Sequence, residues 1–351
     1  MADPIIAGTE PPQPKFELWM EQLDGETAGA TGKQQINIAP LVLSVTYADH
    51  IHGESDELEI EIDDFCLEPG NTVFKGDWLP EKGQGIELKI GYVGGALFDC
   101  GRFEVDEITF KGPPDTLTIR ALNAQVKKPL RQDDHRRYEN QTLLAVAQAV
   151  ATRQGLTLIG ANTGKMAAIS LKRVTQNGEA DLAFLKRLAE PYGYAFKVTT
   201  QYLVFMAIAD LEAAEPFTTI DRTDLIDWEL TDTTRETYKK CEVRYHDPDT
   251  AAVILGQAGD ADAVKNDTLK VTCRLENQGQ ATARAEESLR RANAAGKNGR
   301  CRLPGHPGLA AGCALNLTGF QRLSGKFLIE SSRHRLDRSG GYVSELEVRR
   351  V

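Results

Sequence analysis

Two widely separated stretches of this chain are built to one pattern, and that echo limits the possible folds more than any other feature. The first holds Gly85, Leu88 and Ile90, then Gly101-Arg102-Phe103-Glu104-Val105-Asp106, then Leu117-Thr118-Ile119-Arg120. The second holds Gly312, Leu315 and Leu317, then Gly325-Lys326-Phe327-Leu328-Ile329-Glu330, then Leu346-Glu347-Val348-Arg349. Each reads as three short strands with apolar residues at every second position. Turn residues, Gly112-Pro113-Pro114 and Ser339-Gly340-Gly341, precede the last strand of each. Alternation and glycine turns are shared by any two antiparallel sheets, but three segments matching in order, Gly-(Arg/Lys)-Phe-x-(Val/Ile)-(Asp/Glu) among them, point to one β-unit used twice. Phe103, Val105, Leu117 and Ile119 are the expected core of the first copy, and Phe327, Ile329, Leu346 and Val348 that of the second. Three such chains around one axis would display six similar units, a ring able to dock on a true hexamer.

At 351 residues the chain is long enough for two or three domains, and 41% hydrophobic content suits a globular protein. A net charge of −10 argues against sequence-specific nucleic-acid binding, because gripping phosphates needs a basic surface. No apolar run has the length of a membrane helix, so membrane insertion is not expected, and Met1-Ala2-Asp3-Pro4-Ile5-Ile6 lacks a basic start and a hydrophobic signal core. Synthesis and folding in the cytoplasm are the matching expectation. The six cysteines include no Cys-x-x-Cys, so zinc and redox motifs are not expected.

Along the chain, a tail with Pro11-Pro12-Gln13-Pro14 leads into an alternating strand at Phe16, Leu18 and Met20, then a Gly/Thr loop from Asp24 to Gly32. Strands are predicted at 36–47, 56–63, 85–92, 96–110 and 115–124, the pattern of a small antiparallel barrel or sandwich. After a charged connector, Arg131 to Arg137, the period changes. Leu143, Val146, Ala147, Val150 and Ala151 mark a helix stopped by Gly155, and a second helix over 179–190 is ended by Pro191 and Gly193. Strands at 194–199 and 202–208 make this part α/β. Strand character returns at 225–231 and 238–245, fails in an Asp/Ala/Gly-rich stretch at 247–267, and gives way to a third helix over 280–295. The expected organisation is a tail (1–15), a first β-unit (16–130), an α/β portion (131–216, continued by 247–305) and a discontinuous second β-unit (217–246 and 306–351). The fold class is α+β, mainly β.

Few residues suggest bond chemistry. The strand Glu57-Leu58-Glu59-Ile60-Glu61-Ile62-Asp63 puts three apolar residues on one face and Glu57, Glu59, Glu61 and Asp63 on the other. That second face is either a solvated exterior or a channel wall that repels a passing polyanion. His50-Ile51-His52 aims two imidazoles the same way, but no third ligand is set by spacing, so no metal or other cofactor is expected. Asp133-Asp134-His135 lies among arginines, as salt-linked linkers do. No Gly-x-Ser-x-Gly, Walker-type loop or His-Glu-x-x-His is present, and no catalytic residue is assigned.

The order and spacing of Gly101 to Ala121, Gln176-Asn177-Gly178-Glu179 through Glu190, and Gly305-His306-Pro307-Gly308-Leu309 through Gly340-Gly341-Tyr342 to Leu346-Glu347-Val348-Arg349 resemble the late control protein D family of tailed phages. That family is the baseplate hub of contractile tails, also found in contractile bacteriocins and in the hub part of type VI secretion VgrG spikes. The resemblance implies two similar antiparallel β-barrel tube domains with an inserted α/β portion. It also implies a homotrimer that adapts a hexameric tail tube to a trimeric tail spike protein and initiates tube assembly, with other baseplate and tape-measure proteins as further neighbours. Because Val351 follows the last expected strand directly, no spike extension of the type VI kind is expected, and a separate spike protein is expected instead. On this reading the 57–63 carboxylates line or border the channel. Two other functions stay open from the residues: a tail-tip cell-wall hydrolase using Asp133, Asp134 or Glu190, and a receptor- or glycan-binding module using Trp78, Trp228 and Tyr342.

Overall fold

A computed structural model of the chain describes residues 12–21, 35–51, 56–63, 80–123, 133–160, 163–198, 201–233, 237–248, 251–261, 263, 265–338 and 341–351. The loop at Asp24–Gly32, His52, Cys66, Trp78, Arg131, Gln132, Ser339 and Gly340 lie outside the described residues. Strands dominate, joined by a smaller number of helices.

The N-terminal part runs β1 (Pro14–Glu21), β2 (Gln35–Asn37), β3 (Val42–His50), β4 (Glu57–Asp63), β5 (Gly85–Tyr92), β6 (Phe98–Lys111) and β7 (Thr116–Asn123). Its last five strands lie in the order β3-β4-β7-β6-β5, every neighbour antiparallel, and β1 adds outside β5. Alternation causes this packing: Leu58, Ile60 and Ile62 share one buried cluster with Ile86, Leu88, Ile90, Phe103, Val105, Leu117 and Ile119.

The middle part runs β8 (Asp133–Thr142), α1 (Leu143–Arg153), β9 (Thr157–Gly160), α2 (Thr163–Ala168), β10 (Ser170–Ala180), α3 (Asp181–Ala189), β11 (Tyr194–Val198), β12 (Tyr202–Ala207) and α4 (Ile208–Ala213). The Thr142 hydroxyl caps α1 by accepting from the Ala145 N–H at 3.1 Å. The charged connector is, from Asp133 onward, a strand: β8 pairs with β10. Only Tyr138 of β8 is deeply buried, so the strand has no apolar alternation to reveal it.

The C-terminal part runs β13 (Thr218–Asp221), β14 (Asp227–Asp232), β15 (Lys240–His246), β16 (Val253–Gly259), β17 (Thr268–Thr272), α5 (Gln278–Ala295), β18 (Lys297–Pro304), β19 (Ala314–Thr318), β20 (Gly325–Asp337) and β21 (Gly341–Arg350). Five of these strands lie in the order β14-β18-β21-β20-β19, all antiparallel. That is the order and orientation of β3-β4-β7-β6-β5, strand for strand. The two units are joined where β20 also pairs with β3, so thirteen of the described strands form one continuous sheet.

Two strands lie elsewhere than the sequence reading placed them. The strand near 238–245, assigned there to the second β-unit, is β15, which pairs with β16 and β17 and packs its Cys241 and Val243 against Ala281, Ala285 and Leu289 of α5. Conversely β18, inside the stretch assigned to the α/β portion, is a central strand of the second unit. The Asp/Ala/Gly-rich stretch contains β16, and its small residues have a packing reason. A Cβ on Gly256 would stand 2.0 Å from the Ala281 carbonyl oxygen, so only glycine lets α5 lie this close to the strand.

Candidate functional site: the twin units and their seam

The duplicated residues of the long strand, β6 in the first unit and β20 in the second, occupy equivalent places. Leu88 stands opposite Gly101 and Ile86 opposite Phe103; Leu317 stands opposite Gly325 and Leu315 opposite Phe327. Val105 pairs with Ala121 and Ile108 with Ile119, as Ile329 pairs with Val348 and Ser332 with Leu346. In each unit one residue of the long strand is skipped at the same point, Asp106 between Val105 and Glu107, and Glu330 between Ile329 and Ser331. The Asp/Glu that ends the shared motif is therefore a β-bulge in both copies, re-aiming the second half of the strand. The flanking strands are displaced by two residues from the sequence match: Leu315 is the counterpart of Ile86 rather than Leu88, and Leu346 of Ile119 rather than Leu117. Period-two alternation identifies the face and leaves an even slip undetected.

Phe103, Val105, Leu117 and Ile119 are buried in one cluster, and Phe327, Ile329, Leu346 and Val348 in another. Between them runs the seam, where Ser331–Asp337 pairs with Ser44–His50. At its centre His334 stacks on Tyr47 with ring centroids 6.0 Å apart, and Tyr47 meets Phe103 edge-on at 5.9 Å. His334 Nδ1 lies 3.0 Å from both the Ser344 and Tyr342 hydroxyls, and Nε2 lies 3.3 Å from the Leu309 carbonyl. Burial pushes the His334 imidazole down to about 4. Nothing in the alternation marks His334, Tyr47 or Tyr342 as partners, since they come from separate strands.

One end of the seam is fixed to the α/β part by charge. Asp49 and Asp56, both buried, face Lys197 of β11, with Lys197 3.3 Å from Asp56 and hydrogen-bonded to Asp49. Asp49 also accepts from the Ala311 N–H at 2.9 Å, and Asn123 donates to Asp56 at 3.0 Å. Burial raises Asp56 to about 6 against the opposing pull of Lys197. Burial also opposes the Lys197 charge, but Asp56 and Asp49 prevail and hold its pKa above the ordinary lysine value.

On β4, Glu57 and Glu59 are exposed, whereas Glu61 and Asp63 are half-buried. Their face is of mixed sign. Arg120 lies 3.0 Å from Glu59 and 3.5 Å from Glu107, and the Ser44 hydroxyl donates to Glu61 at 3.2 Å. The second unit answers with Arg300–Glu345 at 3.1 Å and Arg302–Asp227 at 3.4 Å.

Among the described residues the other candidates are not gathered into a site. His50 pairs with Ser331 at the seam's end, and no group of three potential metal ligands occurs among the described residues. Asp134 is tied to Arg136, whose hydrogen bond lowers its pKa. Glu190 stands in the turn after α3. Tyr342 is buried beside the seam, while Trp228 is 39% exposed on β14, edge-on to Phe320 with Arg222 over its ring.

Comparison with known proteins places this architecture. The family model described as phage tail baseplate hub (GPD) matches residues 115–340. A curated relative, the probable baseplate hub protein of Escherichia phage P2, is 33% identical over 192 residues, covering 54% of this chain and 47% of its own. The chain thus spans about half the length of the curated relatives it matches. Among solved structures, the 43 kDa tail protein of prophage MuSo2 from Shewanella oneidensis aligns over 96% of this chain and 98% of its own, with a TM-score of 0.69 at 16% identity. An Escherichia coli component of the type VI secretion system, described as structurally similar to phage T4 tail proteins, aligns over 88% of this chain and 73% of its own, with a TM-score of 0.54 at 13% identity. At these identities the structural likenesses establish the fold.

Proposed function

The chain belongs to the phage tail baseplate hub (GPD) family, and on that premise we propose that three copies form the hub of a contractile tail or tail-like particle. The carrying observation is that the two units share strand order, orientation and bulge position and are fused edge to edge. Three chains then offer six near-equivalent units toward a hexameric tail tube while keeping threefold symmetry for a trimeric spike. The role is structural: subunit burial supplies the free energy, and the hub starts tube assembly. Assembly takes place in the bacterial host before the hub resides in the tail baseplate, beside other baseplate and tape-measure proteins.

The polar faces of the units, with Glu57, Glu59, Glu61 and Asp63 on the first, line or border the channel. Arg120, Arg300 and Arg302 moderate the negative field there, giving a wall that neither binds nor strongly repels a passing polyanion. The test is co-expression with the tube and spike proteins of the same tail. Complexes holding equal numbers of hub and spike chains, from which tubes grow, are expected. Normal tubes and spikes joined in the absence of this chain would overturn the reading, and soluble fragments released from peptidoglycan would favour the hydrolase.

A further inference from the structure

Where the α/β part meets the sheet, Ala195, Ile208 and Leu211 pack against Ile51, Leu328 and Ala311 in a small apolar patch. Glu212, near the end of α4, lies 2.7 Å from Arg349 of β21. Beside these contacts stands the cluster of Asp49, Asp56 and Lys197, which sets two carboxyl groups against one ammonium.

Hydrogen bonds are shared unevenly within that cluster. Both oxygens of Asp49 accept, Oδ1 from Lys197 and Oδ2 from the Ala311 N–H. Asp56 Oδ2 accepts from Asn123 at the end of β7. Asp56 Oδ1 is buried with the Lys197 ammonium 3.3 Å away and no hydrogen bond. Asp49 and Asp56 are 2% and 4% exposed, so water does not complete either group. Two carboxylates against one ammonium leave a net negative charge where burial makes it costly. A proton on Asp56 Oδ1 cancels that charge and turns the idle oxygen into a donor toward the neighbouring Asp49 carboxylate.

We infer that Asp56 carries a proton in the folded chain and that this proton closes a latch: while it is bound the α/β part is seated on the seam, and its release to solvent loosens that seat. Lys197, its side chain 34% exposed, gives the proton a way out. Among the described residues the groups around the pair keep their charge through the relevant range. Tyr47 of β3, Cys100 of β6 and Cys313 before β19 all have their pKa raised, first of all by burial, and stay protonated. His334, pushed down to about 4 by burial, is neutral above that value. His50, next to Asp49 on β3, takes the opposite face of the strand. Burial raises Asp56 to about 6 from the ordinary 3.8, against Lys197 and with the help of Asp49. Closure is therefore favoured fully below 3.8 and lost as pH rises through 6. Between pH 5 and pH 7.5 the equilibrium for opening should rise about tenfold.

Two measurements test the latch. Carboxyl NMR of the aspartate-labelled chain, with D56N to assign the signal, should show Asp56 titrating at about 6. Hydrogen exchange in β11 and α4, corrected for the intrinsic rate, should quicken about tenfold from pH 5 to pH 7.5, while α1 and α3, inside the α/β part, stay unchanged. D56N, whose amide supplies the donor at every pH, should exchange in β11 and α4 at one slow rate throughout. Titration of Asp56 with the ordinary carboxylates at about pH 4, or a D56N variant that opens more than the wild type at pH 7.5, would overturn the seat of the proton. Titration at about 6 with equal exchange at both pH values, or with α1 and α3 quickening alongside β11 and α4, would overturn the latch.

Discussion

Phe103 and Phe327 do the same work in two places: each follows a positive-φ glycine by two residues, precedes a bulge, and fills the core of its unit. Truncating either, F103A or F327A, should cost about 3–5 kcal/mol in chemical denaturation, the range for emptying a buried aromatic site. Their paired role was legible because the motif recurs. The residues that weld the units together were not, since a buried histidine on an alternating strand looks like any polar residue until Tyr47 and Tyr342 arrive from elsewhere in the chain. His334 carries a pH signature. Its folded pKa, about 4, lies below the ordinary 6.5, so its contribution is fully present above pH 6.5 and is lost as pH falls toward 4, a span worth about 3 kcal/mol. Asp56, raised to about 6, works the other way, favouring the folded chain as pH falls through that value toward 3.8. Comparing the wild type with H334Q isolates the first effect: unfolding followed between pH 7 and pH 4 should depend less steeply on acid in the variant, and equal slopes would show that His334 is not held neutral.

At the level of strands, the elements that announced themselves were those burying one clean face. The strand expected at 85–92 is observed over those same residues, and α1 starts at the Thr142 cap. β18 was missed because its visible alternation is only Cys301 and Leu303 between arginines, and Gly299 has no side chain with which to announce a face. β15 was misassigned because an alternating strand fits any sheet, and its partners β16 and β17 lie in sequence that looks like loop. The bulges show what alternation hides. Asp106 and Glu330 read as ordinary motif endings, yet each resets the side-chain phase of the strand that follows. Deleting Glu330 should turn Ser332, His334 and Leu336 out of the seam and bring Arg333 and Arg335 in, burying charge without partners. Loss of the cooperative unfolding transition is expected for that deletion. A transition kept with wild-type midpoint would mean that the seam register is not set by the bulge.

The molecule as a whole joins two like units through β20 and β3 and anchors the α/β part to that junction through Lys197. Removing the cation while keeping the stem, K197M, leaves Asp49 and Asp56 buried with less compensation. It should destabilise the folded chain by about 3–5 kcal/mol, as breaking a buried pair does, with a midpoint shift in denaturant as the readout. The duplication and mainly β class could be read from sequence because they reside in local pattern. The continuity of the sheet across both units could not, because it depends on pairing between residues nearly three hundred positions apart, Ser44 with Asp337 among them. Electron cryomicroscopy of the chain assembled with the spike protein of its own tail tests whether twin units make a sixfold face from three subunits. Three 38.6 kDa chains in a closed ring, with six similar β-units in projection down the axis, are predicted. A ring of two, four or six chains, or three chains whose paired units stand at different radii from the axis, would contradict it.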